Sequence, residues 1–159
     1  MKFKQFQFLK NQAINKLKAI DAEHTEIKPL TVEQALSGDP LMLAYIGDAM
    51  YSMYVRERVI QMGIPKVQVL HTVVTEFICA KSQAKALLAL EDSFTENEQA
   101  IAKRGRNSNV NVPKSSTVQE YRSSTAFEAI LGFLYETRQM ERLESIMDKA
   151  FSLTLAAMK

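Results

Sequence analysis

From Leu41 to Val55 the chain is apolar nearly all round and carries one charge, Asp48. Asp39 is a good N-cap, Pro40 suits the first helical position and Gly63 suits a stop, so the pattern predicts a helix from about 40 to 62. One stripe of it is Leu41, Ala44, Tyr45, Asp48, Tyr51, Ser52, Val55 and Val59; the opposite one, Met42, Ile46, Ala49, Met50, Met53 and Ile60, is apolar too. A helix apolar on both sides is covered on both sides. The expectation is a core on one face and a second copy of the chain on the other, with some of Met42, Ile46, Met50, Met53 and Tyr54 crossing to it. A second stretch repeats the arrangement: Ser123 to Tyr135 has Glu128 as its only charge.

Three capping boxes punctuate the rest. Thr31-Val-Glu-Gln34 opens a short helix, Thr95-Glu-Asn-Glu98 one to about Lys103, and Thr117-Val-Gln-Glu120 the helix carrying Glu128 to about Thr137. Pro65 starts a helix expected to reach Leu90, and Met140 to Met158 is amphipathic. No period-2 run stands out. The fold class is therefore all-α, a bundle of six or so helices. Residues 1–28 alternate Lys with Phe, Gln and Leu before turning acidic. They form one amphipathic helix or a loosely held extension, with residues 29–159 as the domain proper.

Composition narrows the function. A chain of 159 residues, 47% hydrophobic, is long enough for one domain with a real core. A single cysteine, Cys79, excludes an internal disulfide framework and fits a reducing compartment. No apolar run reaches the ~18 residues that span a bilayer, and the N-terminus lacks a secretory signal's apolar core. Two histidines, His24 and His71, and one cysteine make no zinc site. Neither a P-loop nor a Gly-x-Ser-x-Gly elbow is present.

What remains is two carboxylates set in apolar helices and one basic, polar loop. A buried lone carboxylate needs a cation beside it, from a side chain such as Arg122 or from a metal. Carboxylate oxygens suit Mg²⁺, with Mn²⁺ as a substitute. Asp48 and Glu128 are thus candidate metal ligands and catalytic residues. Arg104 to Ser116 reads as a loop, expected to be mobile until RNA binds. Arg104, Arg106, Asn107 and Lys114 are candidate RNA contacts, with Lys81, Lys85 and Arg122 as supporting phosphate ligands.

These residues also carry a resemblance. Leu43-Ala-Tyr-Ile-Gly-Asp-Ala-Met-Tyr51 resembles the signature helix of the ribonuclease III catalytic domain, and Ser124-Thr-Ala-Phe-Glu-Ala-Ile-Leu-Gly132 its second acidic motif. Ala-Tyr-Ile-Gly-Asp-Ala with Tyr-Val-Arg56, Ala80-Lys-Ser-Gln-Ala84, Arg104-Gly-Arg-Asn107 and Val118-Gln-Glu-Tyr-Arg122 are similar to the short bacterial branch called Mini-ribonuclease III. The resemblance implies an obligate homodimer with signature helices at the interface. It implies Mg²⁺-dependent cleavage of both strands of double-stranded RNA, with no separate RNA-binding domain following. The implied substrate is the precursor of large-subunit ribosomal RNA, in the cytoplasm. Full-length members have two further acids, at positions held here by Ala44 and Thr125, so only Asp48 and Glu128 carry over. The alternative is a catalytically silent relative that binds structured ribosomal RNA; a purely structural helical dimer would leave the basic loop unexplained.

Overall fold

The computed structural model describes residues 1–158. Among these are eight α-helices and no strand: α1 (Phe3–Glu23), α2 (Val32–Ser37), α3 (Pro40–Ile60), α4 (Val67–Ile78), α5 (Ala80–Leu90), α6 (Glu96–Arg106), α7 (Val118–Glu136) and α8 (Met140–Ala157), with a single 3₁₀ turn at Glu91–Ser93. The class is all-α, as the sequence implies. All three capping boxes form, and the Asp39 side chain accepts from the Leu41 N–H at 2.9 Å.

α7 is the hub. From Ser124 to Leu134 every residue except Glu128 is buried, and α3, α5, α6 and α8 pack round it. The closest packing is with α3, and glycine permits it. A Cβ built on Gly47 would lie 1.8 Å from the Glu128 carbonyl oxygen; one on Gly132 would lie 1.8 Å from that of Leu43. The pairing of 47 with 128 and 43 with 132 means the two helices run in opposite senses across the contact. Gly105 of α6 approaches α7 in the same way, its would-be Cβ 3.0 Å from the Ala126 Cα.

Aromatic and ionic contacts close the rest of the bundle. Tyr51 meets Phe127 edge-on at 5.3 Å, and Phe77 stacks on Phe151 at 4.5 Å. The Tyr54 hydroxyl donates to Asp148, which also pairs with Arg58 at 3.3 Å. Glu98, fully buried, receives two bonds from Arg142, at 2.8 and 3.0 Å, and caps the Thr95 N–H at 2.9 Å. Burial alone would raise its pKa; the Arg142 bonds and the Thr95 N–H outweigh that and hold it below the usual carboxylate range. One side chain thus starts α6 and ties it to α8.

Four expectations change. The helix anticipated from Pro65 to Leu90 is two helices, because Cys79 is extended and the Ser82 hydroxyl takes the Glu76 carbonyl at 2.6 Å in place of a helical N–H. α6 continues past Lys103 to Arg106, so the connection to α7 is shorter than the loop anticipated; Gly105 packing on Ala126 extends it. On α3, Tyr54 belongs to the core, not to an outer face, because its ring packs on Phe151 and Tyr51. Tyr45, assigned to the core stripe, is instead 81% exposed. α1 buries none of its residues, and Leu30 beyond it is fastened by its N–H to the Glu136 carbonyl at 2.8 Å. No described helix is long and apolar enough to cross a membrane.

The α3–α7 crossing gives a sharp expectation. Gly47→Ala, which forces a Cβ into a carbonyl, should cost ~3 kcal/mol or more in urea unfolding. Gly63→Ala, at φ +67° in open space, should cost only about 1 kcal/mol. Equal losses would contradict the crossing.

Candidate functional site

Gly47 is followed by Asp48, and Glu128 lies one turn before Gly132, so the helix crossing itself brings the two acids together. They do not share one environment. Asp48 stands exposed at the edge of α3, which corrects the expectation that both carboxylates are buried, while Glu128 is half-buried on α7. Position 48 lies at the border between the core face of α3 and its outer face, and a carboxylate there can stay in water. Burial, and then the Asp48 charge beside it, push the Glu128 pKa up to about 8.

Compensation by a side-chain cation is not what the structure uses. Its described ion pairs are Arg58–Asp148, Arg106–Glu91 and Arg142–Glu98; none involves Asp48 or Glu128. Arg122 lies elsewhere, in the cleft described below. A divalent cation fits the pair. Both groups offer hard carboxylate oxygens, the ligand type that Mg²⁺ takes in ones and twos while keeping several waters. Among the described residues no third Asp, Glu, His or Cys joins them. Ala44 and Thr125, the positions at which the resemblance implies further acids, are buried, and the Thr125 hydroxyl is turned to the Tyr121 carbonyl at 3.0 Å.

The basic residues divide. Lys81, Lys85, Arg106, Asn107 and Arg122 line one open cleft of about 910 Å³, between α5, the end of α6 and the start of α7. Thr117 and Ser123 line it too, so the N-terminal end of α7, with its partial positive charge, opens into it. Arg106 pairs with Glu91 at 3.3 Å across a solvent-exposed gap. Lys114 sits on the connection from α6 to α7 and is not among the lining residues. Arg104 is a correction: its guanidinium donates to the Leu36 and Gly38 carbonyls, the latter at 2.6 Å, and so anchors the turn before α3.

One residue escaped the sequence reading. Gln83 is 1% exposed on α5 and faces Glu128 across the contact with α7. It is near enough to favour the ionised carboxylate, yet among the described residues neither of its side-chain polar atoms makes a well-formed hydrogen bond. The available signal was a polar residue in register with Leu87 and Leu90 on the buried stripe of α5.

Residues 41–139, which hold both acids and the cleft, match the Ribonuclease III domain family. The Mini-ribonuclease 3 of a Thermoanaerobacter species is 42% identical over 127 residues, covering 79% of this chain and 88% of that protein. The chain belongs to the Mini-ribonuclease III branch of the ribonuclease III family. A second Mini-ribonuclease 3, from Streptococcus pneumoniae, is 46% identical over 110 residues, covering 67% of this chain and 86% of its own. A crystal structure of a Fusobacterium nucleatum protein superposes with a TM-score of 0.66 at 33% identity, over 69% of this chain and 90% of that one.

For this Mini-ribonuclease III chain the raised Glu128 pKa makes a signed expectation. Unfolded, a glutamate titrates near 4.5; folded, it titrates near 8. Between those values the native state holds the extra proton, so metal-free stability falls as pH rises, by up to about 1.4 kcal/mol per pH unit. Glu98, whose pKa is depressed, acts only below that window. Urea unfolding in a chelator from pH 5 to 8 should show the fall, and Glu128→Gln should flatten it; parallel slopes in the two proteins would contradict the assignment.

Proposed function

We propose that the chain is a metal-dependent endoribonuclease that cuts both strands of double-stranded RNA. Its natural substrate in this reading is the precursor of large-subunit ribosomal RNA in the bacterial cytoplasm. The observation that carries the reading is the pairing of Asp48 with Glu128 at the helix crossing, with no ion pair to either acid among the described residues. Residues 29–159 form the catalytic domain, and residues 1–28 an extension outside it. The exposure of α1 and the start of the family match at residue 41 support that division.

Asp48 and Glu128 hold the divalent cation, Mg²⁺ or Mn²⁺, one from each helix. When bound, the cation supplies Lewis-acid stabilisation to a phosphodiester under attack by water. Asp48, being exposed, is accessible to the backbone of a duplex, whereas Glu128 is shielded and fixes the ligand geometry from below. Lys81, Lys85, Arg106, Asn107 and Arg122 bind phosphates and ribose hydroxyls along the cleft, the shape-based recognition suited to A-form RNA. Arg106 exchanges Glu91 for phosphate there. Lys114 reaches the duplex from the connection after α6.

The dimer rests on the outer face of α3. Met42 (69% exposed), Tyr45, Ala49, Met53 (58%) and Ile60 (64%) form one apolar stripe there, a surface of the kind that marks an interface. A symmetric partner on this stripe sets the two metal sites beside the interface, one per strand of the duplex. Met53→Glu should give monomers in sedimentation with the helical spectrum retained; a wild-type monomer at micromolar concentration would rule the interface out.

Cleavage of a long RNA duplex tests the function. Asp48→Asn and Glu128→Gln should each abolish cleavage without unfolding the protein. Lys85→Ala and Arg122→Ala should raise KM severalfold and leave kcat within about twofold, since loss of uniform binding leaves the chemical step unchanged. Near wild-type cleavage by either carboxylate variant would sink the reading.

A further inference from the structure

Gln83 is a buried side chain whose amide nitrogen and oxygen make no well-formed hydrogen bond among the described residues, although the amide stands close enough to Glu128 to favour its ionised form. It lies among Ala86, Leu87 and Leu90 on the buried face of α5, where an apolar residue of similar size would pack without stranding polar atoms. Buried amides without partners are rare and call for a reason. Across the α5–α7 contact its neighbour is Glu128. A carboxylate that ligates a cation through one oxygen is normally held by a donor on its other side.

We propose that Gln83 is a positioning residue for the metal ligand Glu128: its Nε2–H donates to the Glu128 carboxylate and would hold that group in place for a cation. The proposal rests on the two-carboxylate metal site put forward above. Without metal the amide faces Glu128 without a well-formed bond and contributes little to the stability of the fold. With metal, the Nε2–H would close on the ligating carboxylate and hold the Glu128 side chain to a single rotamer. Gln83 therefore trades metal-free stability for affinity at the site.

The test is direct Mn²⁺ titration of the full chain, by calorimetry and by loss of the free-Mn²⁺ EPR signal, with no RNA present. Gln83→Leu and Gln83→Met keep the volume and remove the amide, and Asp48→Asn serves as the control. The wild type should bind Mn²⁺, Asp48→Asn should lose that binding, and both Gln83 variants should bind about tenfold more weakly. Their metal-free Tm should equal or exceed that of the wild type. Unchanged affinity in the Gln83 variants would overturn the positioning role and leave the two-carboxylate site standing. A wild type that binds no Mn²⁺, or an Asp48→Asn that binds it fully, would overturn both. A metal-free Tm several degrees lower in both Gln83 variants would make the amide a structural group and overturn the proposal.

Discussion

The contact between Gly47 and the Glu128 carbonyl, mirrored by Gly132 on the Leu43 carbonyl, sets the geometry of everything else in this bundle. Two helices can approach to backbone contact only where neither carries a Cβ, and each of these has its glycine at that place. The approach buries the middle of α7 on all sides. It also fixes the register of the two helices, so that the residue after Gly47 and the residue one turn before Gly132 face a common space. The acid pair follows from the packing and needs no loop to build it. Sites carried on rigid helices hold their geometry more closely than sites on loops.

The crossing also explains the unequal treatment of the two acids. Glu128 sits on the hub helix and is half-covered, and its carboxyl is pushed up to about 8. Asp48 sits on the rim of α3 and meets water. Elsewhere the fold neutralises covered charge within the protein: Glu98 has Arg142 and the Thr95 N–H. At the crossing it does not. The contrast between a fully bonded Glu98 and an uncompensated Glu128, in one small domain, is the strongest physical argument that the second is reserved for something outside the chain. The basic cleft shares α7 with the acid pair. Arg122 precedes Glu128 by six residues on α7, or about 9 Å of helix rise, and Lys81 and Lys85 flank Gln83 on α5.

Much of this was legible in the sequence, for local reasons. Thr-x-x-Glu or Gln boxes, Asp39-Pro40 and Gly63 act within a few residues of themselves, so they placed helix boundaries well. The two acid-bearing helices stood out because a single charge in an apolar run is conspicuous. The break at Cys79 was hidden because a side-chain bond from Ser82 to the Glu76 carbonyl makes it, and no proline or glycine marks it. Arg104 reads as a free cation in sequence, but its partners, Leu36 and Gly38, lie far away along the chain. Tyr45 and Tyr54 were exchanged because an apolar run gives no contrast from which to assign its faces. Gln83 was passed over because a polar residue on a buried stripe becomes informative only once the facing helix is known.

The central claim is that the α3–α7 crossing joins Asp48 and Glu128 into one divalent-cation site. Anomalous diffraction from crystals grown with Mn²⁺ tests it most directly. The account predicts an anomalous peak at the crossing, with a carboxylate oxygen of each residue at about 2 Å. A Mn²⁺ peak held by other residues, with none at the crossing, would contradict it.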